Sequence, residues 1–151
     1  MRDPAERGFS LVELAIVLVV MGLLFGFSVP NFQRISSTYQ LRGAAENVAG
    51  QLRLAREKAI ATGVDQPIHI LNTTTYHIHY QSPANIISTT WTLPTGITFA
   101  TVGDWYYMAP DGRFYQNSSH TVTGSNIIVL ANTRGARDTV SVQLSGLVLI
   151  R

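Results

Sequence analysis

The sequence contains no cysteine and carries little excess charge. Without cysteine, a disulfide framework, a thiolate metal site and a cysteine nucleophile are all excluded. The chain has 151 residues, room for one modest domain plus an accessory segment, and its 11 Lys and Arg against 9 Asp and Glu leave a formal net charge of +2. No Gly-x-Ser-x-Gly element occurs, and we expect no enzymatic activity.

The distribution of charge excludes a strong nucleic-acid binder. The stretch 63–151 is neutral, because its charged side chains balance: Arg113, Arg134, Arg137 and Arg151 against Asp65, Asp104, Asp111 and Asp138. A protein that binds nucleic acid through its phosphates normally shows a dense basic patch or stripe. Nucleic acid is therefore not an expected partner.

One long apolar run lies near the N-terminus. No charged residue occurs from Leu14 to Gln33, and the run counted from Leu11 to Val29 has about the 20 residues that a membrane-spanning helix needs. Residues 1–8, MRDPAERG, are short and charge-balanced, and no small-x-small cleavage site follows the run. Both features argue against a secretory signal peptide. A simple signal anchor stays open as an alternative.

The helical pattern continues beyond the apolar run and becomes two-faced. Arg42 with Glu46, and Arg53 with Glu57, fall four residues apart on the expected outer face. Gly63 is a typical C-terminal stop, so the sequence predicts one helix from about Phe9 to about Thr62. The apolar or small residues expected on the inner face are Phe32, Ile35, Tyr39, Ala45, Val48, Leu52, Ala55 and Ala59.

Beyond Gly63 the pattern switches to period two, which is typical of strands. QPIHILNTTTYHIHYQ (66–81) predicts a hairpin, and an odd-numbered loop such as Thr73–Thr75 would place its even-numbered apolar residues on one face. A helix followed by antiparallel strands predicts an α+β fold with the sheet packed on the two-faced half of the helix. The further strands are expected near Ile87–Leu93, Ile97–Thr101, Trp105–Met108, Arg113–Gln116, His120–Ala131, Thr139–Leu144 and Leu147–Ile150.

Three histidines share the opposite face of the predicted hairpin. With a three-residue loop, His69 would lie across from His79, and His77 would lie beside them. Three imidazoles on one face can bind zinc, but solvated or partner-facing histidines are commoner, and we assign no metal or cofactor. A cluster of aromatic residues leaves a similar choice between a partner-binding surface and the core: Trp91, Trp105, Tyr106 and Tyr107.

Glu13 is an acidic residue inside the apolar run. An ionised side chain at the centre of a membrane helix costs about 2.5–3.5 kcal/mol even on a lenient scale. RGFSLVE, Arg7 to Glu13, resembles the type IV prepilin signature, which type IV pilins and the pseudopilins of type II secretion carry. The resemblance implies cleavage after Gly8 by a prepilin peptidase and methylation of the new amine of Phe9.

The same resemblance gives Glu13 a role in assembly. The new N-terminus combines a cationic amine with the positive end of a helix dipole. The carboxylate of Glu13 in a neighbouring subunit can neutralise that charge, and the pairing fixes the axial offset between subunits. Gly22, Gly26 and Pro30 fall four residues apart, so helices can approach closely there and the backbone can loosen at Pro30. The resemblance implies that Gly22 and Pro30 bracket a segment able to unwind in a filament; both residues are also common in membrane helices.

Two further stretches narrow the resemblance to the GspH/FimT-like minor pilins and pseudopilins. QLRLAREKAIATGVDQPIHI (51–70) resembles the helix end and first strand of that family. APDGRFYQ (109–116) and VSVQLSGLVLIR (140–151) resemble its late turn and last strand. Family members that bind DNA carry a Gly-Arg-x-Arg element, whereas this chain has Gly-Leu-Val-Leu at 146–149, so strong DNA binding is not expected.

The predicted organisation has four parts: a cleaved leader, 1–8; a transmembrane half-helix, 9–29; an amphipathic half-helix, 30–62; and a periplasmic antiparallel β domain, 63–151. The resemblance implies a single-pass inner-membrane protein that assembles with other pilins or pseudopilins through its N-terminal helix. The leading interpretation is a minor pseudopilin near the tip of a type II secretion pseudopilus. A minor pilin of a type IV pilus and a membrane-anchored binding domain that never assembles are the alternatives.

Overall fold

A computed structural model describes residues 10–82, 85–100, 102, 105–120 and 126–151, without the side chains of 27–34, 85 and 105. The chain divides into two compact units, Met1–Ser36 and Ser37–Arg151. One long helix, α1 (Leu11–Thr62), begins in the first unit and ends in the second. The prediction of a single helix ending near Thr62 is confirmed.

In the first unit, α1 starts behind a serine cap. Ser10 Oγ accepts a hydrogen bond from the backbone N–H of Val12 at 3.3 Å, and Ser10 O accepts one from Leu14 N–H at 3.1 Å. A serine at this position satisfies backbone donors that the first helical turn leaves unpaired. The large apolar side chains that follow are exposed, from Leu11 (84 % exposed) to Phe25.

Among the described residues, no helix combines the length and the apolar character needed to cross a membrane.

The predicted transmembrane half-helix, 9–29, extends past the described side chains at both ends. Residue 9 and the side chains of 27–29 lie outside the description. This assignment therefore stays a prediction.

In the second unit, α1 buries one face against strands. The buried positions recur at intervals of three and four residues, as expected for one side of a helix: Leu41, Ala44, Ala45, Val48, Ala49, Leu52, Ala55 and Ala59. The buried face was predicted to include Ile35 and Tyr39, but both side chains are exposed. The side chain of Phe32, also predicted there, lies outside the description. Gly63 ends the helix with φ of +67°, and its N–H donates to Ala59 O at 3.0 Å.

Nine strands follow within the described residues: β1 (Gln66–Ile70), β2 (Thr75–Ser82), β3 (Asn85–Thr92), β4 (Ile97–Phe99), β5 (Trp105–Met108), β6 (Phe114–Tyr115), β7 (Ile127–Asn132), β8 (Arg137–Val142) and β9 (Val148–Ile150). They form two antiparallel sheets, ordered β3-β2-β1-β5-β6 and β4-β7-β8-β9. The α+β class is confirmed, but two sheets replace the single sheet expected. Apolar side chains of α1 and both sheets form one core.

The predicted hairpin is present. Its strand register is shifted by two residues from the one that a Thr73–Thr75 loop would give. Ile70 pairs with Tyr76 and encloses an odd-numbered loop, 71–75, so the even-numbered apolar residues do share the buried face. His69 consequently pairs with His77 and not with His79. The predicted strand His120–Ala131 was too long: β7 begins at Ile127, His120 has φ of +54°, and residues 121–125 lie outside the description.

A buried glutamine ties the end of α1 to the first hairpin. Gln66 is fully buried, and its Nε2 donates to Gln81 O at 2.9 Å while its Oε1 accepts from Gln81 N–H at 2.8 Å. The same Nε2 also donates to Val64 O and to Thr62 Oγ1. A buried amide without hydrogen-bond partners lowers the stability of a fold. The partners found here are what allow a glutamine to be buried at position 66.

Candidate functional site

The first candidate site is the start of α1. Glu13 is exposed in the first turn, where a negative charge interacts favourably with the helix dipole. Gly8 and Phe9, the residues expected to flank the cleavage point, lie outside the described residues. Of these three predicted residues the structure describes Glu13 alone, and its role in assembly stays a prediction.

The glycine positions of α1 leave an open surface. A Cβ atom on Gly22 or Gly26 would meet nothing within 4 Å within the described residues. The backbone is helical through Pro30, whose side chain lies outside the description. With the exposed apolar side chains around them, Gly22 and Gly26 form a surface to which a second helix can approach closely.

At the second candidate site, three stretches that resemble the GspH/FimT-like proteins meet: 51–70, 109–116 and 140–151. Arg56 of α1 donates from Nε to Gly112 O at 3.1 Å and from Nη2 to Ser145 O at 3.2 Å. Gly112 belongs to APDGRF, between β5 and β6, and Ser145 to LSGLVL, between β8 and β9. One guanidinium thus links the helix to a turn of each sheet. All three stretches stand out in the sequence, but these contacts of Arg56 could not be predicted from it.

Two other arginines of α1 also contact the sheets. Arg42 pairs with Glu46 at 3.4 Å, as the four-residue spacing predicts, and with the buried Asp138 of β8 at 3.5 Å. Arg53 donates from Nη2 to Val148 O at 3.2 Å, a contact the expected pairing with Glu57 did not anticipate. Besides its buried apolar face, α1 therefore also contacts the β domain through arginine side chains of its polar face.

The third candidate site is the histidine face of the first sheet. Nε2 of His77 lies 2.9 Å from Nε2 of His79, and the rings of His69 and His77 are 5.3 Å apart between centroids. Ser88 Oγ lies 2.6 Å from Nδ1 of His79. Burial and the neighbouring His79 lower the pKa of His69, and burial, His79 and His69 lower the pKa of His77. These shifts favour neutral imidazoles.

Within the part of the chain that the structure describes, no set of three or more His, Cys, Asp or Glu is arranged to hold a metal ion. The three histidines do share one face, as predicted, but they do not form a three-ligand site.

The predicted aromatic cluster contains both a core residue and partly exposed residues. Tyr106 is buried and stacks on Phe114 at 5.4 Å, so it is a core residue. Trp91 is half-buried beside the core, and the side chain of Trp105 lies outside the description. Tyr107 is partly exposed on β5. The predicted alternative of core packing is thus the correct one for Tyr106.

The element that would carry the DNA-binding arginines lies in a turn and an edge strand. Gly146 is in the turn between β8 and β9 with φ of +76°, and Leu147 is 50 % exposed. Leu149 lies in β9. Aliphatic side chains at these positions supply no cation for a phosphate.

Comparison with known proteins matches the N-terminal segment to one family. The family model described as "Prokaryotic N-terminal methylation motif" matches residues 3–29. This range contains Gly8, Phe9 and Glu13. The chain carries the N-methylation motif of prokaryotic prepilin-like proteins, and its helix packed on antiparallel sheets has a type IV pilin-like layout.

Two relatives from Pseudomonas aeruginosa share part of their length with the chain. It is 36% identical over 59 residues to a fimbrial protein, covering 39% of this chain and 38% of that protein. It is 34% identical over 56 residues to type II secretion system protein H of strain PAO1, covering 37% of this chain and 33% of that protein. The chain thus spans under two fifths of the length of these curated relatives. No solved structure matches it.

Proposed function

We propose that this chain is a minor pseudopilin, a structural and non-enzymatic subunit near the tip of the periplasmic pseudopilus of a type II protein secretion system. The observation that carries the proposal is the match of residues 3–29 to the N-terminal methylation motif. The similarity to type II secretion system protein H supports a pseudopilin. The neutral β domain, without the Gly-Arg-x-Arg element, fits a role other than DNA uptake.

In this proposal a prepilin peptidase cuts after Gly8 and methylates Phe9. Glycine suits the cleavage point, because a protease can hold a residue without a side chain in an extended conformation. The 9–29 half of the helix lies in the inner membrane before assembly, and the β domain lies in the periplasm. Exposed apolar side chains such as Leu18 and Phe25 are then covered first by lipid and later by neighbouring helices.

Glu13 directs the assembly step. It is acidic, exposed and in the first turn of α1, four residues beyond the proposed new N-terminus at Phe9. The amine of an adjacent pilin or pseudopilin pairs with this carboxylate in a medium of low dielectric constant, where the attraction is much stronger than in water. A subunit without the carboxylate loses both the attraction and the axial register.

The test compares Glu13→Gln with Glu57→Gln in the native host. Both changes remove one exposed carboxylate from α1, but Glu57 lies in the second unit and outside the methylation motif. We expect Glu13→Gln to abolish recovery of the subunit in filaments purified from the cell envelope, while Glu57→Gln leaves it unchanged. Recovery of the Glu13→Gln subunit at the wild-type level would refute the assembly role.

Processing has a separate test. Mass spectrometry of the mature protein should find an N-terminus at Phe9 that carries one methyl group, and Gly8→Val should leave the leader attached. A mature chain that begins at Met1, or an unmethylated Phe9, would contradict the processing step without touching the fold.

A minor pilin of a type IV pilus is the second candidate, favoured by the similarity to a fimbrial protein. Deletion of the gene separates the two candidates. Loss of exoprotein secretion with surface pili retained supports the pseudopilus, whereas loss of pili with secretion intact supports the pilus. A gel shift of duplex DNA at physiological salt by the purified protein would add DNA uptake to the second candidate and count against the first.

A further inference from the structure

His77 and His79 place two ring nitrogens side by side on the surface of β2. Residues two apart on a strand point to the same face, so the backbone alone brings these imidazoles together. Their Nε2 atoms are 2.9 Å apart, and their ring centroids are 4.4 Å apart with the planes at 77°. The two nitrogens share one hydrogen bond, which a metal ion would replace. The short separation of the centroids shows that the rings are tilted, so that both nitrogens point toward the same side of the line joining them.

We propose that Nε2 of His77 and Nε2 of His79 bind one divalent late transition-metal ion, Cu²⁺ in the first place, as adjacent ligands. Imidazole nitrogens bind such ions at about 2.0–2.1 Å. Two nitrogens 2.9 Å apart at that distance subtend an angle close to 90° at the metal. This is the angle between neighbouring ligands in the tetragonal geometry of Cu²⁺ and Ni²⁺, and it is smaller than the tetrahedral angle that Zn²⁺ prefers.

Ser88 of β3 positions one of the two ligands. Its Oγ lies 2.6 Å from Nδ1 of His79, and β3 pairs Ser88 directly with His79. When Nδ1–H donates to this hydroxyl, the lone pair of His79 is on Nε2, where the metal binds. Partners of this kind fix the tautomer and the orientation of a metal-binding histidine, and their loss typically costs about 10–100-fold in metal affinity.

The protein supplies two ligands, and water completes the coordination. His69 lies across from His77 on β1, with the two rings in contact at 5.3 Å between centroids, and it supports the ring of His77 without being a required ligand. The site uses β-domain residues alone. None of its ligands lies in residues 1–29, so a failure of the proposed cleavage would leave the site in place.

Metal titration of the purified full-length chain in detergent tests the proposal. The chain has four histidines, of which His120, paired with Asp65 at 2.8 Å, lies outside the site and serves as the matched control. With CuCl₂ as the only added metal, calorimetry should show one tight site per chain, and electron paramagnetic resonance should show nitrogen coupling. His77→Gln and His79→Gln should each weaken binding the most, Ser88→Ala by about tenfold, and His120→Gln not at all.

Comparison of two further ions tests the geometry. NiCl₂ should bind more tightly than ZnCl₂, because the nitrogens are set for an angle near 90°. Tighter binding of Zn²⁺ would overturn the assigned geometry, and unchanged Cu²⁺ affinity in either His77→Gln or His79→Gln would overturn the site. Circular dichroism of each variant shows whether it remains folded; His77→Gln and His79→Gln alter different positions, so one folded variant suffices for the test.

Discussion

Gly146 lies directly against Gly112, at the point where the turn between β8 and β9 meets the turn between β5 and β6. A Cβ atom on Gly146 would overlap the carbonyl oxygen of Gly112 and would lie 2.6 Å from Nε of Arg56. Gly146 also has φ of +76°, a conformation that residues with a Cβ rarely adopt. The two turns belong to different sheets, so this contact joins the two halves of the β domain.

Gly146→Ala should therefore destabilise the β domain strongly. A non-glycine residue in the left-handed region costs on the order of 1–3 kcal/mol, and the overlap with Gly112 O adds to that cost. The matched control is Gly135→Ala, since Gly135 has φ of +81° but open space around its Cβ position. Chemical denaturation should show a clearly larger loss for Gly146→Ala. Equal losses would mean that backbone conformation alone requires the glycine.

Arg56→Lys should also weaken the joint between the two turns. The guanidinium reaches Gly112 O and Ser145 O at once, which the single ammonium of lysine cannot reproduce in the same geometry. Because Arg56 is partly exposed, we expect a loss on the order of 1 kcal/mol in the free energy of unfolding. Arg53→Lys alters a single hydrogen bond, to Val148 O at the start of β9, and should cost less. If Arg53→Lys lowered the free energy of unfolding as much as Arg56→Lys, the double contact of Arg56 with the two turns would not be the cause.

The sequence predicts the elements well because their signals are local. The spacing of Val48, Leu52, Ala55 and Ala59 and the stop at Gly63 specify the buried face and the end of α1. The alternation in the hairpin specifies which residues are buried, since parity alone decides the face. It does not distinguish one odd-numbered loop from another, and so the partner of His69 was predicted wrongly.

The contacts between distant stretches could not be predicted in the same way. Arg56 is 56 residues from Gly112 and 89 from Ser145 along the chain, and no periodic pattern encodes such a meeting. The division into two sheets depends on pairings of the same long-range kind. The candidate site at the N-terminus is the opposite case: the motif over residues 3–29 is contiguous, so Gly8, Phe9 and Glu13 could be named from sequence.

Gln66→Leu should destabilise the fold although leucine is similar in size and apolar. The change leaves the backbone N–H and C=O of Gln81 without the side-chain partners they now have at 2.8 and 2.9 Å. Removing one partner of a buried hydrogen bond typically costs about 1–3 kcal/mol. Gln143→Leu, at an exposed position, should change stability by less than about 0.5 kcal/mol. Urea denaturation of both variants gives the comparison, and equal stability of the two would contradict the role of Gln66.

Alkaline pH should destabilise the β domain through its buried phenols. Burial, reinforced by the neighbouring Tyr80, raises the pKa of Tyr76 far above its usual value, and burial also raises the pKa of Tyr80. A folded-state pKa above the unfolded value means that the folded chain keeps protons which the unfolded chain releases. The stabilisation is thus fully present below about pH 10, the ordinary tyrosine value, and is lost as the pH rises above it.

Thermal unfolding between pH 8 and pH 11 measures this effect. The melting temperature should hold steady up to about pH 10 and fall beyond it, and Tyr76→Phe should flatten the fall because phenylalanine has no proton to release. Tyr39→Phe is the matched control, since the side chain of Tyr39 is 74 % exposed and the change removes no buried phenol. If Tyr39→Phe flattened the fall as much as Tyr76→Phe, the burial of Tyr76 would not be its cause.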